Sequence, residues 1–118
     1  MSFHPVSAPD YLPRAQMQAL QLSRLQAVAE RGFDRVELLR TRMRTRPQLC
    51  CLQAISGLPF TTKADLRDTY PFGLFASPIE EVVRLHASSG TTGKPIVVAY
   101  TRSDVDVWSS VMMRSFAA

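Results

Sequence analysis

Eight consecutive residues, Ser88-Ser89-Gly90-Thr91-Thr92-Gly93-Lys94-Pro95, gather four hydroxyls, two glycines and one lysine in a single short stretch. Gly90 and Gly93 let the backbone turn tightly and present its N–H groups to a ligand. Ser88, Ser89, Thr91 and Thr92 add neutral donors, and Lys94 adds a compact positive charge. This set suits the oxygens of a nucleotide's phosphates. A plain hairpin connection usually needs about two to five residues, and the stretch from Ser88 to Lys94 exceeds that. A Walker A loop is excluded by spacing. That loop needs Gly, four residues, then Gly-Lys-Ser/Thr, whereas Ser88 stands where its first glycine would be and Pro95 where its hydroxyl would be.

The flanks define what must hold the octet. Residues 81–87 and 96–100 are short and rich in β-branched side chains, so both read as strands. The pattern predicts strand, phosphate loop, strand: an elongated hairpin whose loop is not tied to a helix N-terminus and is free to close over a ligand. His86 reads as a strand histidine packed beside the loop rather than as a general base, because no partner for proton transfer is evident. Upstream, Pro13 suits a first helical turn. Residues 14–31 then read as a helix with an apolar stripe of Met17, Leu20, Leu22, Leu25, Val28 and Ala29, stopped by Gly32. A second helix is expected over 34–45, with Asp34 as its N-cap, Val36, Leu39 and Met43 facing inward, and Pro47 beyond it. Thr62-Lys63-Ala64-Asp65 has the form of a capping box for a short helix through Thr69, where Lys63 and Arg67 are surface charges. The apolar turn Tyr70-Pro71-Phe72-Gly73-Leu74-Phe75 follows. After the second strand, Thr101 or Ser103 caps a last helix, with Asp104 and Asp106 placed for its dipole and Val105, Trp108, Val111, Met112 and Phe116 as its buried face. The fold class is α+β: N-terminal helices, a β-hairpin carrying the phosphate loop, and a final helix.

The chain of 118 residues fits at most one domain, with an ordinary 46% hydrophobic and 20% charged composition. No stretch approaches the roughly 20 apolar residues that span a bilayer, and the start, Met1-Ser2-Phe3-His4-Pro5, lacks the form of a secretory signal. Adjacent Cys50 and Cys51 offer neither a loop-closing disulfide nor metal-ligand spacing. They read as small core or half-buried thiols in a reducing cytoplasm. The net charge of +4 falls entirely in residues 1–48, which hold eight arginines against Asp10, Glu30, Asp34 and Glu37. The excess centres on Arg40, Arg42, Arg44 and Arg46. This run lacks the interleaved aromatics of a base-stacking surface and reads as a solvated face.

Ser88 to Pro95 resembles the phosphate-binding loop of adenylate-forming enzymes, the acyl-CoA synthetase and adenylation-domain superfamily. Its surroundings narrow the likeness: Leu58-Pro59-Phe60-Thr61-Thr62-Lys63-Ala64-Asp65-Leu66-Arg67, Tyr70-Pro71-Phe72-Gly73, Arg84-Leu85-His86-Ala87 and Tyr100-Thr101-Arg102-Ser103-Asp104 are similar to phenylacetate–CoA ligases. The likeness runs from about Leu58 to the chain end, with an echo at Tyr11-Leu12-Pro13-Arg14. Residues 32–57 depart from it: Glu37-Leu38-Leu39-Arg40 and the arginine run stand where the family has an aromatic, Pro-containing segment. The resemblance divides the chain into an N-terminal helical region, 1–57, and the start of an AMP-binding domain, 58–118, with the loop at 88–95. It implies a partial, N-terminal portion of an adenylate-forming fold.

The activity so implied is a ligase in which phenylacetate attacks the α-phosphate of ATP, releasing pyrophosphate, and coenzyme A then displaces AMP. In the family the loop holds the β- and γ-phosphates, with Mg²⁺ shielding the charge. By resemblance Ser88, Ser89, Thr91 and Thr92 are hydroxyl donors, Gly90 and Gly93 present N–H groups, and Lys94 supplies charge. ATP and Mg²⁺ are the implied cofactors, with coenzyme A a co-substrate. Nucleotide and an aromatic carboxylic acid are the implied ligands, and a homodimer is compatible with the reading. No catalytic residue can be assigned, because the family's adenine, ribose and acyl contacts and its catalytic lysine lie beyond the loop. The expectation is therefore a truncated, cytoplasmic ligase, inactive as this chain alone. A non-catalytic nucleotide-binding or ligase-associating module ranks second, and a basic nucleic-acid-binding protein using Arg40 to Arg46 ranks third.

Overall fold

The computed structural model describes residues 5–89 and 93–117. A 3-10 turn at Pro5–Tyr11 leads into α1 (Arg14–Arg35), a 22-residue helix with Pro13 at its N-cap position. Gly32 does not end α1. It lies in the last turn, and a Cβ there would stand 2.9 Å from Leu39 Cδ1, so the glycine gives α2 (Glu37–Met43) room to pack close. Asp34 is accordingly inside α1 rather than capping α2. The joint is Val36, which is extended (φ −115°, ψ 110°) and 2% exposed. Its N–H donates to Gly32 C=O at 3.0 Å and its C=O accepts from Arg40 N–H at 3.0 Å, so one residue closes the first helix and opens the second. With Ala29 and Leu49, Val36 makes up the fully buried apolar set among the described residues. Gln26 Nε2 donates to Leu49 C=O at 2.7 Å, fastening the segment after α2 along α1. Within the expected stripe of α1, Ala29 is buried while Val28 faces solvent.

The arginine run is exposed, as expected of a solvated face, and three of its members also hold partners within the chain. Arg42 donates to both carboxylate oxygens of Asp65, at 2.6 and 2.8 Å, and to Phe60 C=O at 2.8 Å. Arg46 forks onto Asp34 and lies 5.4 Å from the centre of the Phe33 ring. The run therefore straps α2 to α1 and to α3 (Lys63–Asp68). Cys50 and Cys51 are exposed rather than core thiols.

The capping box predicted for α3 is present. Thr62 Oγ1 accepts from Asp65 N–H at 3.3 Å, and Asp65 Oδ2 accepts from Thr62 N–H at 2.6 Å. Arg42, backed by the Thr62 N–H, holds the Asp65 carboxyl well below the usual carboxylate range. The turn after α3 carries a cis Tyr70–Pro71 peptide. A 3-10 turn at Leu52–Gly57 precedes α3, and another at Ile79–Glu81 precedes the strands.

β1 (Val82–Ala87) and β2 (Val97–Thr101) form a two-stranded antiparallel sheet, with Leu85 opposite Ala99, His86 opposite Val98, Ala87 opposite Val97, and an irregularity between Val82 and Arg84. α4 (Arg102–Ala117) packs back on β2 and on the N-terminal turn, where Arg114 pairs with Asp10. Its expected buried face is not buried: Trp108, Val111 and Met112 are each about two-fifths exposed, and Phe116 is 83% exposed. The pattern marks an apolar face correctly; Trp108 meets the hairpin through the rings of Tyr100 and His86, while Phe116 stands open to solvent. The radius of gyration, 17.0 Å, exceeds the roughly 13.5 Å expected of a compact chain this long, in keeping with so small a core. No helix among the described residues is long and apolar enough to cross a membrane.

Candidate functional site

The octet sits at the tip of the β1–β2 hairpin, where the pattern placed it. Past the last strand pair the ladder gains one more rung. Ser88 N–H donates to Ile96 C=O at 2.9 Å, and Ile96 N–H donates to Ser88 Oγ at 2.8 Å. Ser89, Gly93 and Lys94 lie beyond this rung and are exposed. Gly93 adopts φ +134°, a backbone region that residues with a Cβ rarely enter. The glycine is thus required by backbone shape, since nothing lies within 4 Å of where its Cβ would stand. Gly90, Thr91 and Thr92 fall outside the described residues.

Beneath the loop the hairpin is tied to α4 by three rings. His86 and Tyr100 are diagonal neighbours on one sheet face, with centroids 5.1 Å apart and edges tilted at 63°. Trp108 of α4 stacks on Tyr100 at 5.6 Å and meets His86 edge-on at 6.0 Å. Such pairs contribute roughly 0.5–1.5 kcal/mol beyond area burial. His86 is thus engaged in ring packing, as its position in the strand suggested. The register places Tyr100 beside His86, but the contribution of Trp108 from α4 has no signature in the spacing of the strands.

Where β2 passes into α4, Thr101 and Asp104 repeat the reciprocal cap of α3. Asp104 Oδ2 accepts from Thr101 N–H at 2.8 Å and from its hydroxyl at 2.7 Å, and Asp104 N–H donates to Thr101 Oγ1 at 3.3 Å. Those Thr101 bonds pull the Asp104 carboxyl below its ordinary range, with Arg31 adding a smaller pull. A cavity of about 260 Å³ opens beside this junction, lined by Leu66, Leu74, Phe75, Val98, Arg31 and Asp104 among others. It lies on the hairpin away from the tip.

The site offers hydroxyls, backbone N–H groups and one ammonium at an exposed loop. The octet contains no carboxylate, and no cluster of three or more His, Cys, Asp or Glu among the described residues could hold a metal. Chemically, this arrangement can bind and orient a polyanion. The octet has no carboxylate, imidazole or thiol for proton transfer.

No family model matches the chain. Comparison with curated proteins finds phenylacetate–coenzyme A ligases: that of Pseudomonas putida is 49% identical over 116 residues, covering 92% of this chain and 26% of that protein. That of Thermus thermophilus is 49% identical over 111 residues, and that of Escherichia coli K12 is 44% identical over 107, covering 25% and 24% of those proteins. Among solved structures, 2-hydroxyisobutyryl-CoA ligase in complex with 2-HIB-AMP and CoA superposes with a TM-score of 0.77 at 27% identity, covering 87% of this chain and 24% of that one. The same ligase in the postadenylation state gives a TM-score of 0.74 at 25% identity. The chain is similar in sequence to phenylacetate–coenzyme A ligases and in fold to part of a 2-hydroxyisobutyryl-CoA ligase, and it spans about a quarter of the length of the curated relatives it matches.

Proposed function

We propose that this chain is the phosphate-gripping part of a phenylacetate–CoA ligase, a cytoplasmic enzyme that joins phenylacetate to coenzyme A at the expense of ATP. The observation that carries this reading is the position of the octet: a match covering 92% of the chain at 49% identity extends across residues 88–95, far from either end. Bound ATP supplies the α-phosphate that activates the acid. Around its β- and γ-phosphates, Ser89, Thr91 and Thr92 supply hydroxyl donors, Gly90 and Gly93 supply backbone N–H groups, and Lys94 neutralises charge. The donor set of the loop fits phosphate oxygens and not a bare cation. A Mg²⁺ ion is therefore expected to travel with the phosphates, held mainly by their oxygens and by water. Residues 1–57 act as helical support, and 58–118 open the nucleotide-binding part.

The acid and coenzyme A subsites belong to the other three-quarters of the ligase. The exposed apolar residues of α4, Val111, Met112 and Phe116, suit a surface which that larger part covers. The nucleic-acid reading ranks lower, since Arg42 and Arg46 of its proposed surface are paired with Asp65 and Asp34 of the chain itself. The test is titration of the chain with a fluorescent ATP analogue. Lys94→Ala should weaken binding by about tenfold, the loss expected for one charge-assisted phosphate contact of about 1.4 kcal/mol. Equal affinity in Lys94→Ala would remove the loop from the nucleotide site.

A further inference from the structure

We infer that Ser88 is a positioning residue that locks the base of the loop through Ile96. The functional half of this inference rests on the phosphate-loop reading above. In an antiparallel ladder every second opposing pair exchanges two backbone N–H to C=O bonds, and Ser88–Ile96 falls at such a position. At the Ser88–Ile96 rung one bond is ordinary, Ser88 N–H to Ile96 C=O at 2.9 Å, but the return bond from Ile96 N–H goes to the Ser88 side chain at 2.8 Å. The hydroxyl oxygen takes the place of Ser88's own carbonyl. That carbonyl is released from the ladder, so the chain can leave strand geometry at once while the two arms of the hairpin stay joined.

The partner is dictated by the sequence. Pro95 has no N–H, so Ile96 offers the first backbone donor after Lys94. Pro95 cannot donate a return bond one residue nearer the tip. Seven residues, Ser89 to Pro95, are left to form the loop, and their two ends are held at one separation. Fixing those ends before a ligand arrives lowers the ordering cost of binding. The four hydroxyls of the octet are therefore not equivalent: Ser88 has an oxygen already engaged by Ile96, whereas Ser89 has no such bond and stands exposed beyond the clasp.

Amide hydrogen exchange by NMR on the chain without nucleotide tests the clasp, with His86 and Val98, the next hydrogen-bonded pair of the ladder, reporting that the sheet is intact. Ile96 N–H should be protected in the wild type and should exchange about five- to tenfold faster in Ser88→Ala, the factor for one lost hydrogen bond. Ser88→Thr, which keeps the hydroxyl, should restore protection to within about twofold, and Ser89→Ala should leave it unchanged. In the titration with the fluorescent ATP analogue, Ser88→Ala should weaken binding by a similar factor, and Ser88→Thr should recover it. An unprotected Ile96 amide in the wild type, or equal exchange in Ser88→Ala, would overturn the clasp. So would weaker ATP binding in Ser88→Ala with Ile96 exchange unchanged, the mark of a direct ligand. If exchange responds as stated but the wild type binds no ATP, the clasp stands and the phosphate-loop reading falls.

Discussion

Gly73 and Gly57 predict opposite responses to the same substitution. Neither lies in the left-handed region, so replacing either with alanine stabilises the fold by about 0.4–1 kcal/mol through the unfolded chain, if there is room for the methyl. At Gly57 nothing lies within 4 Å of the new Cβ, and that gain should appear in full. At Gly73 the Cβ would stand 2.7 Å from both Thr69 Cβ and Thr69 O, about 0.7 Å inside the 3.4 Å at which ordinary contact begins. The obstacle is backbone, and Gly73 N–H already donates to that same Thr69 oxygen at 2.8 Å, so the turn must open to admit the methyl. Overpacking of this kind costs about 1–3 kcal/mol, which exceeds the entropic gain and leaves Gly73→Ala less stable by roughly 0.5–2 kcal/mol. In thermal unfolding followed by circular dichroism, a chain of this size shifts by about 4 °C per kcal/mol. Gly57→Ala should therefore melt above the wild type and Gly73→Ala below it, the two separated by several degrees. A Gly73→Ala protein that melts at or above Gly57→Ala would refute the close approach of the turn to α3.

Two further predictions concern groups outside the loop. Ser7 is 2% exposed and its hydroxyl has no partner among the described residues; a buried unpaired polar group costs about 1–3 kcal/mol, so Ser7→Ala should raise the melting temperature, and a fall would show that the hydroxyl is bonded. Asp65 has its folded pKa depressed by Arg42, so its contribution is complete above the unfolded value near 3.9 and is lost as pH falls below about 4; the urea midpoint should drop across that window in the wild type and fall less steeply in Asp65→Asn, and parallel curves would refute the coupling.

Local rules were legible where they act between neighbours in sequence. The Thr62–Asp65 cap, the strands on either side of the octet, the Thr101–Asp104 cap and the place of His86 all depend on residues within a few positions of one another. Gly32 misled because its reason is tertiary: a glycine near a helix end reads as a stop, but here it makes space for Leu39, and α1 runs on to Arg35. The arginine run is exposed as its pattern suggested, but its pairings were not legible. Arg42 reaches Asp65 across 23 positions and Arg46 reaches Asp34 across 12, and neither pairing is written in the local spacing. Within the octet, hydroxyl count made Ser88 and Ser89 look alike. Only the rung to Ile96 separates them, although the proline at 95 was a visible cue that the return bond would come from residue 96.

The apolar periodicity of the last helix raises a different question, since the stripe is real and yet faces solvent. An isolated two-stranded hairpin is marginal in water, and here Leu85 and Val83 are about half exposed while Val98 is two-fifths exposed. Apolar side chains on both faces of a strand are the mark of a sheet covered on both sides. The loop geometry therefore depends on two supports of different reach. The Ser88–Ile96 rung holds the tip from within the hairpin and the His86–Tyr100–Trp108 stack ties the hairpin to α4, while cover for the exposed sheet faces needs elements that pack upon them. If the remaining three-quarters of the ligase provide that cover, they hold the hairpin flat without touching the octet. ATP should then bind more tightly to the assembled enzyme than to this chain, and the part of that gain due to ordering should vanish first in variants of Trp108.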